Sequence, residues 1–147
     1  MSDRNWNIEI SHIYKNLFLS GIRGAGNEEL IKQNNIKFII QVSSELYDNI
    51  KINPNISYIM YSIDDHPSEY IIDICKHAKC IIDYCFKNNI NILINCYSGI
   101  SRSASVVIYY LMNILKKDYN TIYKFVKSKR GCVNPNYGFI KQLKNIE

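Results

Sequence analysis

The chain has 147 residues, of which 47% are hydrophobic and 21% are charged, with a formal net charge of +5. This composition is typical of one folded domain, and it excludes extensive disorder, collagen and low-complexity linkers. No apolar run approaches the roughly 20 residues of a membrane-spanning helix, and no signal peptide is recognisable, so a soluble cytoplasmic protein is expected.

The first half of the chain predicts short strands separated by turns. Residues 14–21 are expected to form a strand ending at a glycine, and Asn27 is a plausible N-cap for a short helix. Two apolar, β-branched runs at 37–42 and 56–63 each predict a buried strand. The polar stretch 64–67, Asp-Asp-His-Pro, then ends the second of these runs.

The second half predicts several helices around one more strand. An apolar stripe with a period of about 3.6 residues over 69–87 indicates a helix, and 91–94 is typical of a short buried strand. Residues 103–115 are apolar almost all round, which predicts a helix in the middle of the fold. Further helices are expected at 119–129 and 136–145. Strands that alternate with helices indicate an α/β fold with a central sheet.

The chain contains five cysteines, an odd number, which in the absence of a signal peptide predicts a reducing compartment. No Cys-x-x-Cys pair occurs, so a zinc site is not expected. The three cysteines of the predicted helix 69–87 are interpreted as small buried hydrophobic residues. The five positions are Cys75, Cys80, Cys85, Cys96 and Cys132.

The positive charge is concentrated near the C-terminal end. Residues 116–147 carry eight lysines and arginines against two acids, whereas residues 1–115 carry ten against eleven. Such a basic third could attract an anionic partner or could form a solvated, lysine-rich helical face. The weak interleaving of aromatic residues favours the solvated face, and no nucleic acid partner is expected.

The stretch from Cys96 to Arg102 carries the chemistry. Cys96 ends a predicted buried strand, Arg102 opens the next helix, and five residues lie between them. A loop of this kind can curl until its backbone N–H groups form an anion nest, with Gly99 allowing the turn. The helix N-terminus and the Arg102 guanidinium would complete a phosphate cradle. The same positive field favours a thiolate at Cys96, which would be a nucleophile aimed at phosphorus.

The sequence around this loop, Asn-Cys-Tyr-Ser-Gly-Ile-Ser-Arg-Ser, resembles the Cys-x5-Arg signature of the dual-specificity protein phosphatases. Residues 17–21 and 135–143 are also similar to an early strand and a final helix motif of that family. The resemblance covers nearly the whole chain. It implies one domain over residues 1–147, with a central mixed, mostly parallel sheet flanked by helices. It also implies a protein phosphatase that acts on phosphotyrosine and phosphoserine or phosphothreonine in a protein partner.

By this resemblance, Cys96 forms a phosphocysteine intermediate, Arg102 binds phosphate, and Ser103 assists breakdown of the intermediate. No cofactor and no metal are expected, because the loop amides and Arg102 supply the positive charge. The backbone N–H groups that would bind the phosphate oxygens belong to Tyr97, Ser98, Gly99, Ile100, Ser101 and Arg102.

A general acid must protonate the leaving oxygen. The family places an aspartate about thirty residues before the cysteine, and Asp65 lies 31 residues before Cys96. Asp65 is therefore the preferred candidate. Asp64 is the alternative, and His66 is a third candidate.

Asn95 departs from the family pattern, in which a histidine precedes the cysteine. An asparagine amide can donate hydrogen bonds but carries no ionisable proton, so the rate is more affected than the reaction type. Two other functions stay open. A weakly active or inactive phospho-binding module is favoured by Asn95, and opposed by the presence of Cys96 and Arg102. A phosphatase of phosphoinositides or RNA 5′-triphosphates is opposed by the absence of lysine from 97–101.

Overall fold

A computed structural model of the chain describes residues 4–45 and 53–146. At its centre lies a five-stranded sheet with the strand order β1-β2-β5-β3-β4. Strand β1 pairs antiparallel with β2, and the other three pairings are parallel. The predicted α/β fold with a mixed, mostly parallel central sheet is confirmed. The strands are Ile10–Tyr14 (β1), Leu17–Ser20 (β2), Ile36–Val42 (β3), Ser57–Tyr61 (β4) and Asn91–Asn95 (β5).

Six α-helices and one 3-10 turn surround the sheet in the described residues. Asn27 caps one of them by accepting a hydrogen bond from Leu30 N, as predicted. None of these helices combines the length and apolar character that crossing a membrane requires. The elements are a 3-10 turn at Trp6–Ile8 and the helices Ile22–Ala25 (α1), Glu28–Gln33 (α2), Ile72–Lys87 (α3), Arg102–Leu115 (α4), Tyr119–Lys129 (α5) and Tyr137–Asn145 (α6).

The strand predicted over 14–21 is in fact the turn and second strand of a hairpin. Tyr14 ends β1, β2 begins at Leu17, and Lys15 has a positive φ of 49° in the turn between them. The buried face of β1 contains Ser11 as well as Ile13. A polar residue on the inner face obscures the alternation of apolar and polar residues that would have predicted this strand.

The middle of the fold is formed by β5 and α4. Ile92, Leu93 and Ile94 of β5 have no exposed surface, as expected for a parallel strand covered on both faces. One face of the sheet packs against α3 to α6, and the other packs against α1 and α2. The first eleven residues of α4, from Arg102 to Met112, are all buried, which confirms the central helix. The loop between β5 and α4 is therefore held between two rigid, buried elements.

Helix α3 corrects the interpretation of its three cysteines. Cys75 and Cys85 are buried, whereas Cys80 is exposed. A five-residue step turns a helix by about 140°, so the middle cysteine points away from the face that its two neighbours bury. The prediction of a buried thiol is wrong for Cys80.

Candidate active site

The thiol of Cys96 lies at the base of the loop that follows β5. Cys96 is 1% exposed. Gly99 N donates a hydrogen bond to its Sγ over 3.2 Å, and Ser103 Oγ lies 3.0 Å from the same sulfur. The loop thus folds back over the sulfur, and the first turn of α4 brings a hydroxyl to its other side.

Four consecutive loop carbonyls are bonded from outside the loop. A carbonyl turned outward leaves the neighbouring amides free to face the centre, so this pattern is compatible with the expected nest of N–H groups. The four hydrogen bonds run from Ile22 N to Tyr97 O (2.9 Å), from Arg130 Nη2 to Ser98 O (3.1 Å), from Arg130 Nε to Gly99 O (3.0 Å) and from Asn134 N to Ile100 O (2.8 Å).

Gly99 has the backbone conformation and the close contacts that only glycine tolerates. Its φ is +69°, in the left-handed region. A Cβ at this position would lie 2.5 Å from the carbonyl carbon of Ser20 and 2.6 Å from Gly21 N. The end of β2 therefore supports the loop from below, and the role predicted for Gly99 in the turn agrees with this geometry.

Arg130 is the main residue that the sequence interpretation missed. The sequence favours a solvated basic face for residues 116–147, which include Arg130, but the Arg130 side chain has no exposed surface. Besides the two loop carbonyls, its guanidinium donates to Trp6 O (2.9 Å), Ser11 Oγ (3.2 Å) and Glu9 O (3.4 Å). The sequence offers one signal for Arg130: residues 116–147 contain seven lysines but a single arginine. The planar fork of an arginine carries five N–H donors, enough for these five oxygen atoms, whereas a lysine carries three.

Arg102 is buried at the start of α4 and is held by Glu45. Its Nη1 and Nη2 donate to the two carboxylate oxygens of Glu45 over 2.6 and 2.8 Å, and Nη1 also donates to Ile63 O over 3.0 Å. Burial opposes the positive charge, but the hydrogen bond to Glu45 and the charges of Cys96, Glu45 and Asp65 raise the pKa of Arg102. The same hydrogen bond lowers the pKa of Glu45. Sequence analysis did not identify Glu45, which carries no recognisable motif.

The two aspartates after β4 have different partners. Asp65 accepts a hydrogen bond from Asn136 Nδ2 over 2.9 Å, and its charge contributes to the raised pKa of Arg102. Asp65 therefore lies beside the loop. The Asp64 carboxylate is instead hydrogen-bonded to Ser44 Oγ.

Helix α6 fixes the segment that carries Asp65. Gly138 packs against this segment so closely that a Cβ would lie 2.0 Å from Pro67 O. The His66 side chain bonds within its own segment, because its Nδ1 lies 2.7 Å from Ser68 Oγ. The side-chain amide of Gln142 accepts a hydrogen bond from Ile71 N (2.9 Å) and donates one to Glu69 O (2.8 Å).

Asn95 is fully buried at the end of β5, opposite Gln41 of β3. Its Nδ2 lies 3.4 Å from Gln41 Oε1 and 3.5 Å from Cys96 O. Its Oδ1 and the Nε2 of Gln41 have no hydrogen-bond partner in the described part of the chain. Both contacts are long, so the amide supports the loop backbone weakly.

The site combines a loop whose carbonyls are bonded outward, a buried guanidinium and a thiol at the base. Across residues 4–45 and 53–146, no three His, Cys, Asp or Glu side chains are grouped as metal ligands. The amides and Arg102 can hold a tetrahedral oxyanion above the Cys96 sulfur, with a carboxyl group at Asp65 to one side. Such an arrangement is suited to nucleophilic attack on a phosphomonoester.

Comparison with known proteins agrees with this geometry. The family model for the dual specificity phosphatase catalytic domain matches residues 17–147. A probable rhodanese domain-containing dual specificity protein phosphatase of Dictyostelium discoideum is 36% identical over 132 residues, which are 89% of this chain and 27% of that protein. Human dual specificity protein phosphatase 9 is 32% identical over 135 residues, which are 92% of this chain and 35% of that protein.

A solved structure extends the similarity to three dimensions. The crystal structure of the human tyrosine phosphatase-like serine/threonine/tyrosine-interacting protein superposes with a TM-score of 0.87 at 30% identity and covers 95% of both chains. The chain spans about a third or less of the two curated relatives named above. Since the family pattern is matched over most of its length, the chain belongs to the dual-specificity phosphatase catalytic-domain family.

Proposed function

We propose that the protein is a dual-specificity protein phosphatase that works through a phosphocysteine intermediate at Cys96. The observation that carries this proposal is the row of four outward-bonded carbonyls around a buried thiol, an arrangement that leaves the loop amides available to bind an anion above the sulfur. A single catalytic domain over residues 1–147, in the cytoplasm, is part of the proposal. The free state of all five cysteines supports a reducing compartment.

In the first step, the Cys96 thiolate attacks phosphorus, and the bond from phosphorus to the leaving oxygen breaks. The loop amides and Arg102 stabilise the charge on the three equatorial oxygens. Asp65, as a carboxylic acid, donates its proton to the leaving oxygen. The hydrogen bond from Asn136 supports this role because it holds the Asp65 side chain beside the loop. Asp64 is less suited, since its carboxylate is bonded to Ser44.

In the second step, a water molecule attacks the phosphocysteine, and the sulfur leaves as a thiolate. Asp65, now a carboxylate, accepts the proton of the attacking water. Ser103 Oγ lies 3.0 Å from Cys96 Sγ and can donate a hydrogen bond to the departing sulfur. Inorganic phosphate is released, and the acid and the thiolate are restored.

The charges around the loop favour a single phosphate group on a protein. Arg102 is already paired with Glu45, Asp64 and Asp65 lie on the neighbouring segment, and residues 97–101 contain no lysine. A triphosphate or a phosphoinositide brings several more negative charges, which would need cations that these residues do not offer. The monophosphate of a protein side chain is the substrate class that fits.

The decisive test compares wild type with Cys96→Ser on nitrophenyl phosphate and on matched phosphotyrosine and phosphothreonine peptides. The wild type should hydrolyse all three, and Cys96→Ser should bind the peptides without turnover, because serine is not ionised at neutral pH. Cys80→Ser, at an exposed thiol on α3, is the control and should behave as wild type. A wild type that binds phosphopeptides but hydrolyses none of them would make the protein a binding module.

The general acid is tested by leaving-group dependence. Asp65→Asn should slow hydrolysis of phenyl phosphates with basic leaving groups by about 10²-fold, and should matter less for nitrophenyl phosphate. Asp64→Asn is the matched control and should leave this dependence unchanged. The opposite result for the two variants would move the role to Asp64.

A further inference from the structure

We propose that Glu45 is a positioning residue, which holds the Arg102 guanidinium so that one edge of it faces the phosphate before any substrate arrives. The inference rests on the proposed phosphate-binding role of Arg102. It assigns a function to a carboxylate that belongs to none of the motifs by which the site was found.

The argument begins with the five N–H donors of an arginine side chain. Nη1 uses both of its hydrogens, one for Glu45 Oε1 at 2.6 Å and one for Ile63 O at 3.0 Å. Nη2 uses one hydrogen, for Glu45 Oε2 at 2.8 Å. The Nε hydrogen and the second Nη2 hydrogen are left, and they lie on the same edge of the planar group. Two parallel donors on one edge match two oxygens of a phosphate.

The unused edge is also buried. Arg102 is 5% exposed, and its Nε has no hydrogen-bond partner among the described residues. A buried donor without a partner destabilises the protein, and more so when the donor belongs to a charged group. This cost is removed when a phosphate oxygen supplies the missing acceptor. The orphaned Nε therefore points to a ligand on that edge.

This geometry separates a positioning role from a competing one. A carboxylate that took the place of the phosphate would bond Nε and Nη2. Glu45 bonds Nη1 and Nη2 instead, so Glu45 and a phosphate can occupy the guanidinium together. Arg102 is buried and its Nη1 is bonded to the Ile63 carbonyl, so the guanidinium has little freedom to rotate until Glu45 bonds Nε and Nη2 instead.

Holding the guanidinium in advance has a physical value for catalysis. A free arginine side chain has many rotamers, and fixing one of them on binding carries an entropy cost that a side chain held in advance avoids. The Arg102 hydrogen bond lowers the pKa of Glu45, so the carboxylate stays ionised throughout the neutral range and keeps both acceptors. Ser44 Oγ, 3.3 Å from Glu45 Oε1, connects the pair to the segment that carries Asp64.

The first test measures binding of inorganic phosphate by calorimetry, together with kcat/KM for nitrophenyl phosphate, in Glu45→Gln and in Glu28→Gln. Glu28 is exposed on α2, and its variant makes the same change of charge away from the site. Removing a negative charge near an anion site would strengthen phosphate binding by electrostatics alone. The positioning role predicts the opposite sign, a loss of about tenfold in both phosphate affinity and kcat/KM. Glu28→Gln should match wild type.

The second test is a double-mutant cycle with Arg102→Lys. A lysine has no fork for Glu45 to orient, so Glu45→Gln should cause no further loss of phosphate affinity in that background. Equal losses in both backgrounds would mean that Glu45 acts without Arg102, and would overturn the inference. Phosphate affinity of Glu45→Gln that equals that of wild type would also overturn the inference. A higher affinity would overturn it too, because it would show that Glu45 competes with phosphate for Arg102. Phosphate binding can be measured without turnover. A protein that binds phosphate but hydrolyses no phosphomonoester would therefore refute the proposed function and leave the positioning role of Glu45 to be judged by the binding data alone.

Discussion

Replacement of Arg130 by methionine is the perturbation that best tests how the loop is shaped. Methionine fills much of the same space and keeps an unbranched apolar stem. It leaves five oxygen atoms without their donor, two of them the loop carbonyls of Ser98 and Gly99. The other three belong to the N-terminal segment, at Trp6 and Glu9 and on the Ser11 side chain.

The expected loss of stability follows from the burial of this network. Each buried oxygen left without a donor costs about 1–3 kcal/mol, and removal of the guanidinium charge, which burial disfavours by lowering the pKa of Arg130, offsets part of this sum, so the net loss should be about 3–5 kcal/mol. For a domain of this size, each kcal/mol lowers the melting temperature by about 2–4 °C. Arg130→Met should therefore melt about 10 °C below wild type. Lys129→Met, one residue away and exposed, removes the same charge and should melt close to wild type.

The expected loss of activity is separate from the loss of stability. Without the two bonds from Arg130, the peptide groups after Ser98 and Gly99 can rotate, and their amides no longer face the phosphate together. A displacement of this kind can cost about 10²-fold in kcat/KM. Ile82→Ala, at a fully buried position of α3, is a control that loses about 2–5 kcal/mol through a cavity in a helix that does not carry the loop.

The assay compares these variants on nitrophenyl phosphate at a temperature well below all of their melting points. Ile82→Ala should keep the kcat/KM of wild type despite its lower melting temperature, and Arg130→Met should not. If the two variants had equal kcat/KM values, Arg130 would only stabilise the fold, and the account of the loop would be refuted. A melting temperature of Arg130→Met equal to that of wild type would refute the estimate of its energy.

Three further outcomes are expected. Gly138→Ala should push the Pro67 segment away, because its Cβ would lie 2.0 Å from Pro67 O, and it should reduce kcat most for basic leaving groups. In the folded protein, iodoacetamide should alkylate Cys80 before Cys85, whose pKa is raised to about 11 by burial; mass spectrometry would identify the sites. EDTA should leave hydrolysis unchanged, since amides and Arg102 supply the positive charge; loss of activity restored by a divalent metal would contradict this.

The sequence predicted best those features whose causes are local. The buried helix α4 follows from a run without charged residues between Ser103 and Leu115, and the helix Tyr119–Lys129 has the predicted bounds. The loop was found because a cysteine, a glycine and an arginine stand at fixed spacing between a strand and a helix. In each case the responsible residues lie within about one element of one another, where periodicity and spacing carry information.

Features set by distant contacts were missed. Arg130 bonds Trp6 across 124 positions, and Arg102 bonds Glu45 across 57. Nothing in the neighbourhood of either partner indicates the other, because the sheet order β1-β2-β5-β3-β4 decides which chain segments meet. The hairpin strand β1 was missed for a related reason. Its inner face contains Ser11, whose burial becomes favourable only when Arg130 donates to its hydroxyl.

The motif at residues 135–143 has a structural role that becomes clear only from its contacts with a distant segment. From the sequence, Asn136, Gly138 and Gln142 were only points of similarity to a family. In the fold, all three contact the segment that carries Asp65, by a hydrogen bond to its carboxylate, by close backbone packing and by an amide bridge. Since α6 also packs against α4, which begins at Arg102, the spacing of the motif sets where Asp65, the proposed acid, stands relative to the loop 96–102. Substitutions in α6 should therefore alter proton donation while leaving phosphate binding intact.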